Sequence, residues 1–273
     1  MPRRNAGIIG DAGANALWSP SVLNPIVWFD AQDLASISKD GSDKVAQWNN
    51  KGSGGHAIAP DTNSKPTYVS SGLISGKPAI RFNGTANKLS GSATLSGGNG
   101  TFFIFFTQAR SGSSSCGVFE MANTGLSTQS SNDYANCAWL RRYLTLLRLS
   151  YNQVTTLSLT FTADTPLMWS SWKEAATNHI SRYINDAANG ASVVGVAGTN
   201  LFNCNTFGLG INLLNNAALG TYHFAGDVFE VYLFGSSLSD ADRNKLHGFV
   251  AHRWGKADLL ASDHPYKNAP PTA

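Results

Sequence analysis

The segment 228–255 constrains the fold most strongly, because a strand that is apolar on both faces runs directly into a well-capped helix. Between Val228 and Phe234, apolar residues occupy both alternating sets of positions. A strand with this pattern is covered on both faces by other parts of the protein. We therefore predict that this strand lies inside a layered structure and that Gly235 ends it.

The helix after that strand carries signals at both ends. Ser239 is predicted to be the N-cap, Asp242 its partner in a capping box, and Gly255 the glycine that follows the last turn. Arg243 and Arg253 are predicted to lie off the apolar face. That face consists of residues at helical spacing, namely Leu246, Phe249, Val250 and Trp254. Such a helix is expected to pack on a sandwich and close it, and not to form a site.

The rest of the chain is predicted to be a series of short strands. Turn-forming residues recur roughly every 8–12 residues, and helical periodicity is almost absent before the final segment. The apolar run 101–107 is expected at the centre of a sheet, and 138–149 is predicted to be one strand. The Ser-, Gly- and Asn-rich segment 108–137 is predicted to be a long loop. These features indicate an all-β fold, either a jelly roll or a β-sandwich.

Charge and hydropathy narrow the class of protein. Charged residues make up 14% of the chain, against about 25% in an average soluble protein, and the net charge is only +3. Neither nucleic acid nor a membrane is therefore expected as a partner. The N-terminal residues lack the apolar core of a signal peptide, and no run of about 18 apolar residues occurs. A low-charge composition of this kind is common in extracellular and virion β-proteins.

The three cysteines, Cys116, Cys137 and Cys204, are widely spaced and match no metal or redox motif. Buried thiols that behave as small hydrophobic side chains are the favoured interpretation. One disulfide with one further thiol is the alternative.

Three segments, taken together, resemble one family. Segments 28–54, 66–84 and 238–267 are similar in order and spacing to LamG-like, concanavalin A-like jelly-roll domains of bacteria and phages. The motifs include WFDAQD, GKPAIRFNG and VAHRWG. The resemblance implies a concanavalin A-like jelly-roll β-sandwich with one short C-terminal helix. We expect this LamG-like domain to fill residues 21–273.

Residues 1–20 are interpreted as an N-terminal arm. Segments 4–10 and 17–19 resemble the starts of several phage tail and virion proteins, which implies a virion structural protein. Ile8, Ile9 and Trp18 are candidate contacts with another virion protein or a second subunit, because such side chains are costly to leave in water. A disordered terminus is the open alternative.

Retaining glycosidases of related fold need two carboxylates about 5–5.5 Å apart. No such catalytic pair is evident in the sequence. The nearest candidates, Asp227 and Glu230, have an odd spacing that is predicted to place them on opposite faces of a strand. Glu230 is interpreted as a buried, hydrogen-bonded acid, with a metal contact as the alternative. Asp30 and Asp33 are interpreted as turn and capping residues, and a Ca²⁺ site is the alternative. No metal site or cofactor is predicted.

Three functions follow as hypotheses. The leading one is a non-enzymatic phage virion protein, a capsid decoration, head-fibre or tail component that forms a homo-oligomer in the virion. The second is a carbohydrate-binding module for host glycans, with the loops 108–137 and 185–205 as candidate positions of its site. The third, a polysaccharide hydrolase or lyase, would depend on Glu230.

Aromatic residues in the predicted strands are interpreted as core residues, with stacking on sugar rings as the alternative. They are Trp139, Trp169, Trp172, Tyr143, Tyr151 and Tyr183.

Overall fold

A computed structural model of the chain describes residues 17–74, 76–96, 100–107, 115–122, 138–143, 146–151, 154–160, 162–174, 179–185, 187–188, 204–210 and 223–273. The predicted contact residues Ile8 and Ile9 lie outside these ranges, and so does Cys137.

The described residues form seventeen strands. In chain order they are β1 (Val27–Asp30), β2 (Ile37–Lys39), β3 (Val45–Trp48), β4 (Ala57–Ile58), β5 (Thr67–Val69), β6 (Ala79–Asn83), β7 (Leu89–Leu95), β8 (Gly100–Thr107), β9 (Ser115–Ala122), β10 (Ala138–Tyr143), β11 (Leu146–Tyr151), β12 (Val154–Thr160), β13 (Pro166–Glu174), β14 (His179–Ile184), β15 (Ala187–Ala188), β16 (Cys204–Leu209) and β17 (Ala225–Phe234). Short 3₁₀ turns lie at Pro20–Leu23, Leu34–Ser36 and Ala257–Leu259.

Two antiparallel sheets pack face to face. The first has the order β15-β14-β13-β8-β17-β6-β5, and β1 pairs with the part of β17 that β6 does not reach. The second has the order β12-β11-β10-β9-β16-β7-β4-β3-β2. Stacked rings of Phe102 and Phe119, 4.4 Å apart, join the two sheets, as do Phe29 and Phe207 at 5.6 Å. The prediction of an all-β fold is confirmed.

Strands β8 and β17 lie side by side in the first sheet, and every residue of both is buried. Their mainly apolar sequences, with apolar residues on both faces, predicted this, since neither face of either strand can be left in water. One face is covered by the second sheet. The other is covered by the only α-helix of the described residues, α1 (Asp240–Arg253).

The sequence-based strand assignment was wrong at two places. The interval 138–149 is two strands, because β10 and β11 pair with each other. The apolar piece inside the predicted loop 108–137 belongs to β9, an eight-residue strand that pairs with β10 and β16. Strand β7 was not anticipated, because Ser and Gly dominate it and little apolar alternation remains.

Helix α1 has the predicted N-cap, Ser239, and the predicted glycine after its last turn, Gly255. The Ser239 hydroxyl accepts from the backbone N–H of Asp242 at 3.2 Å and donates to the Asp242 carboxylate at 2.7 Å. Gly255 has a φ of 65°, and its N–H donates to the carbonyl of His252 at 3.1 Å. The backbone N–H of Lys256 donates to the carbonyl of Ala251 at 2.6 Å, which completes a Schellman motif. No helix within the described ranges is both long enough and apolar enough to cross a membrane.

The prediction for Arg243 was wrong, since this side chain is buried beneath the helix. Arg243 lies one turn before Leu246 and therefore shares its face. Its guanidinium carbon stands 3.7 Å from the ring centroid of Trp172, and it donates to the carbonyl of Leu238. A planar cation that stacks on an aromatic face can be buried in this way, while its aliphatic stem covers apolar surface.

Trp18 is buried within its own chain. Its ring packs edge-on against Phe249 with centroids 5.9 Å apart, and its backbone N–H donates to the carbonyl of Pro271 at 3.1 Å. Leu17 forms a β-bridge with Thr272. Trp18 of the predicted arm therefore connects the start of the described chain to its end. A contact between the arm and another molecule would have to be made by the residues before Trp18.

Candidate functional site

Two carboxylates, Asp30 and Glu230, lie opposite each other where β1 pairs with β17. Both side chains are fully buried. Directly paired residues of an antiparallel ladder have β-carbons about 4.5–5.5 Å apart, so these two acids are close neighbours. Asp227 was the only partner considered for Glu230 in the sequence, and Asp30 was missed. The partner is 200 positions away in the chain and only the strand pairing brings it close.

Asp30 is neutralised by two cations. Arg253, in the last turn of α1, donates to Asp30 Oδ2 over 2.5 Å. Lys51 Nζ lies 3.4 Å from the same oxygen and 3.0 Å from Asp33 Oδ2. The backbone N–H of Gln32 donates to Asp30 Oδ1 at 2.9 Å. The predicted turn role of Asp30 is therefore confirmed, and the Asp30–Asp33 pair holds a lysine ammonium.

Glu230 is held by aromatic donors instead. The Tyr232 hydroxyl donates to Oε1 over 2.5 Å, the Trp254 indole N–H to Oε2 over 2.6 Å, and the Trp28 indole N–H to Oε1 over 3.4 Å. Burial, together with the charge of Asp30, raises the pKa of Glu230 to about 7, and Arg253 only partly opposes this rise. Burial beside Glu230 likewise raises the pKa of Tyr232 well above its usual value.

This cluster joins the C-terminal helix to strands β1 and β17 of the first sheet, and its two carboxylates are shielded from solvent. A glycosidase carboxylate must touch the glycosidic oxygen or the anomeric carbon. Asp30 and Glu230 have no exposed surface, and Trp254 covers Glu230. The expectation that Glu230 is a buried, hydrogen-bonded acid is confirmed.

A β-bulge corrects the predicted orientation of Asp227. Val228 pairs with Phe106 and Glu230 with Phe105, so Phe229 is an extra residue in β17. One extra residue reverses the alternation of faces, and Asp227 therefore points to the same outer face as Glu230. The two acids still do not pair, since each is held by different partners.

Asp227 is the acidic half of a bidentate ion pair. Arg81 on β6 donates from Nε to Oδ1 at 2.7 Å and from Nη2 to Oδ2 at 2.9 Å. The backbone N–H of Leu73 donates to Oδ2 at 2.9 Å. Asp227 is fully buried, whereas the Arg81 side chain is 45% exposed. The hydrogen bonds between Arg81 and Asp227 raise the pKa of Arg81 above its usual value, and their bidentate geometry fixes the orientation of the guanidinium.

This ion pair forms the base of a cavity of about 360 Å³, which we call the Arg81–Asp227 pocket. The volume lies within the range of about 300–1,000 Å³ that is typical of ligand sites. Gly226 lets β17 approach β8 closely beside the cavity, because a β-carbon there would stand 2.1 Å from the carbonyl oxygen of Thr107. The described residues that line the pocket are Lys44, Thr67, Leu73, Arg81, Phe82, Asn83, Asn87, Asp164, Ala225, Gly226 and Asp227.

The rim of the pocket presents exposed groups of different character. Lys44 and Asp164 are exposed, and Lys44 Nζ donates to the Thr67 hydroxyl at 2.8 Å. Leu73 is 43% exposed, a large value for a leucine, and adds apolar surface. None of these residues was predicted as a site from the sequence, because each lies on a different segment and no local motif links them.

The remaining sequence candidates are distributed as follows. Trp169 and Trp172 are buried, which confirms their interpretation as core residues. Cys116 and Cys204 are buried as well. Among the described residues, no group of three or more metal-ligating side chains occurs. The side chains of Trp139, Tyr143, Tyr151 and Tyr183, and most of the loops 108–137 and 185–205, lie outside the described part of the structure.

No protein-family model and no curated protein sequence matches the chain. Among solved structures, a Trypanosoma rangeli sialidase matches 96% of the chain with a TM-score of 0.56 and 13% identity. The chain spans only 37% of the length of that sialidase. Domain 4 of an extracellular arabinanase from Geobacillus stearothermophilus, solved in complex with arabinotriose, matches 80% of the chain and 96% of its own length, with a TM-score of 0.51 and 10% identity. An α-L-arabinofuranosidase matches 75% of the chain and 50% of its own length, with a TM-score of 0.52 and 12% identity. Likeness at these identities establishes a shared β-sheet fold.

Proposed function

We propose that the chain is a non-enzymatic module that binds glycans in the Arg81–Asp227 pocket. The observation that supports this most is the bidentate ion pair at the base, which holds a planar set of hydrogen-bond donors in one orientation. Ligand sites combine a few fixed polar groups with apolar surface, and Leu73 supplies such surface at the rim. Saccharides offer the matching chemistry, since their hydroxyl groups lie beside apolar C–H faces.

The fold is compatible with this role. The arabinanase domain that shares the fold was solved with arabinotriose bound. Hydrolysis is disfavoured because the close carboxylate pair, Asp30 with Glu230, has no access to solvent. Binding without turnover is therefore the function that the described residues support best.

Replacing Lys44 with alanine, or Asp164 with asparagine, should weaken glycan binding about tenfold, because a hydrogen bond to a charged group contributes about 1.5 kcal/mol. Both side chains are exposed, so the fold should tolerate the changes. A glycan array identifies a ligand for the wild type, and titration calorimetry then measures the affinity of each variant.

The matched control is Asp263→Asn, which alters an exposed aspartate that does not line the pocket. It should bind like the wild type. If the Lys44 and Asp164 variants also keep full affinity, the pocket is not the glycan site.

We also propose that the module is a structural component of a phage virion. Support comes from segments 4–10 and 17–19, which resemble the starts of virion proteins, and from the low content of charged residues. Removing residues 1–16 leaves Trp18 in its intramolecular contacts. The truncated protein should therefore fold but fail to enter particles. Mass spectrometry of purified particles measures its incorporation, and wild-type levels would refute the proposed role of the arm.

A further inference from the structure

We infer that the Arg81–Asp227 pocket selects uncharged saccharides over acidic ones. This inference rests on the proposed glycan-binding function and adds the class of ligand. Its basis is the balance of fixed charge around the pocket, where the cations Lys44 and Arg81 face the carboxylates Asp164 and Asp227. Among the described lining residues the formal charges therefore sum to zero.

The guanidinium of Arg81 is already paired with a carboxylate of the protein. Its guanidinium has five N–H donors, of which Nε and Nη2 each give one to Asp227. The N–H groups that remain can still donate to neutral hydroxyls. Asp227 occupies the Nε–Nη2 edge, and its carboxylate would repel a ligand carboxylate that approached the remaining N–H groups.

Asp164 adds a penalty for anions. It lies near enough to Arg81 to raise the pKa of the guanidinium further, after the larger effect of Asp227. A uronate or sialate carboxylate in the pocket would meet this exposed negative charge. Lys44 would offset part of this repulsion, and one of its N–H groups donates to the Thr67 hydroxyl. A neutral sugar escapes the repulsion and can donate its hydroxyls to Asp164.

The test is a pair of charge reversals, Asp164→Lys in the pocket and Asp263→Lys elsewhere on the surface. Both variants change the net charge by the same amount, so nonspecific attraction to acidic glycans is matched. Binding is measured on an array of neutral and acidic glycans. It is then measured by titration with trigalacturonate and with its uncharged methyl ester, at low and at high salt. Thermal unfolding verifies that each variant is folded.

We expect the wild type to bind uncharged members of the array, with less than about a twofold change in affinity between low and high salt. Asp164→Lys should shift the ratio of acidic to neutral binding by at least about fivefold towards acidic glycans, since an attraction replaces a repulsion. Asp263→Lys should leave that ratio unchanged.

The possible failures are distinguishable. A wild type that prefers acidic glycans, with affinity that falls steeply with salt, overturns the inference and leaves glycan binding intact. Equal ratios for the two lysine variants overturn the assignment of selectivity to this pocket. Binding to no glycan at all overturns the proposed function and the inference together.

Discussion

Replacing Arg253 with methionine should destabilise the protein by about 3–5 kcal/mol, because removal of one partner leaves a buried charge uncompensated. Arg253 is the cation closest to Asp30, and the methionine side chain retains most of its apolar packing. Lys51 Nζ lies farther from the same carboxylate oxygen, at 3.4 Å, so it offsets only part of the loss. The free energy of unfolding, measured with urea, tests this expectation.

Two further variants separate charge from packing. Lys245→Met removes a cation from the same helix and should change the free energy of unfolding by less than about 1 kcal/mol. The double variant Asp30→Asn/Arg253→Met removes both partners and should recover part of the loss, as coupled residues do in a double-mutant cycle. A loss below about 1 kcal/mol for Arg253→Met alone would show that the ion pair does not stabilise the helix on the sheet.

The contribution of Glu230 to stability should fall as the pH rises. The folded protein raises the pKa of this carboxyl from 4.5 to about 7, so between these values the folded state holds a proton that the unfolded state has released. The stabilisation is therefore full below about pH 4.5 and is lost as the pH approaches 7. At about 1.4 kcal/mol per pH unit, the loss is on the order of 3 kcal/mol.

The measurement is the difference in free energy of unfolding between the wild type and Glu230→Gln at a series of pH values. This difference cancels the contributions of Asp40 and Asp61, whose pKa values are lowered by hydrogen bonds from backbone and side-chain groups and whose effects have the opposite sign. Asp263→Asn, which alters an exposed aspartate outside this cluster, serves as the matched control. A wild-type advantage that grows with pH would mean that Glu230 is ionised throughout.

The parts of the fold that could be predicted are those with a local signal. Strand β8 and the strand that ends at Phe234 are apolar at nearly every position, and α1 has both a serine N-cap and a glycine after its last turn. Strand β7 has no such signal, because its membership in the sheet depends on its neighbours. Arg243 was misplaced for a similar reason, since only the position of Trp172 makes its burial favourable.

The polar features were mostly beyond prediction. Asp30 and Glu230 meet through strand register, and Asp227 changes face because of one bulge residue, Phe229. Of these features, only the buried pair of Asp30 and Glu230 had a signal in the sequence. An acid in an otherwise apolar strand needs a partner, and Arg253 in the last helical turn was a candidate. The pocket combines single residues from separate segments, and no local pattern reports it.

The bridge between Leu17 and Thr272 has a consequence for how this domain could be joined to other proteins. Because the two ends of the described chain lie side by side, a fusion partner attached at either one would leave the domain from the same point. The domain could therefore be inserted into a surface loop of a larger protein without being stretched. The same closeness would allow a circular permutant, in which the old ends are linked and new ends are opened in an exposed turn.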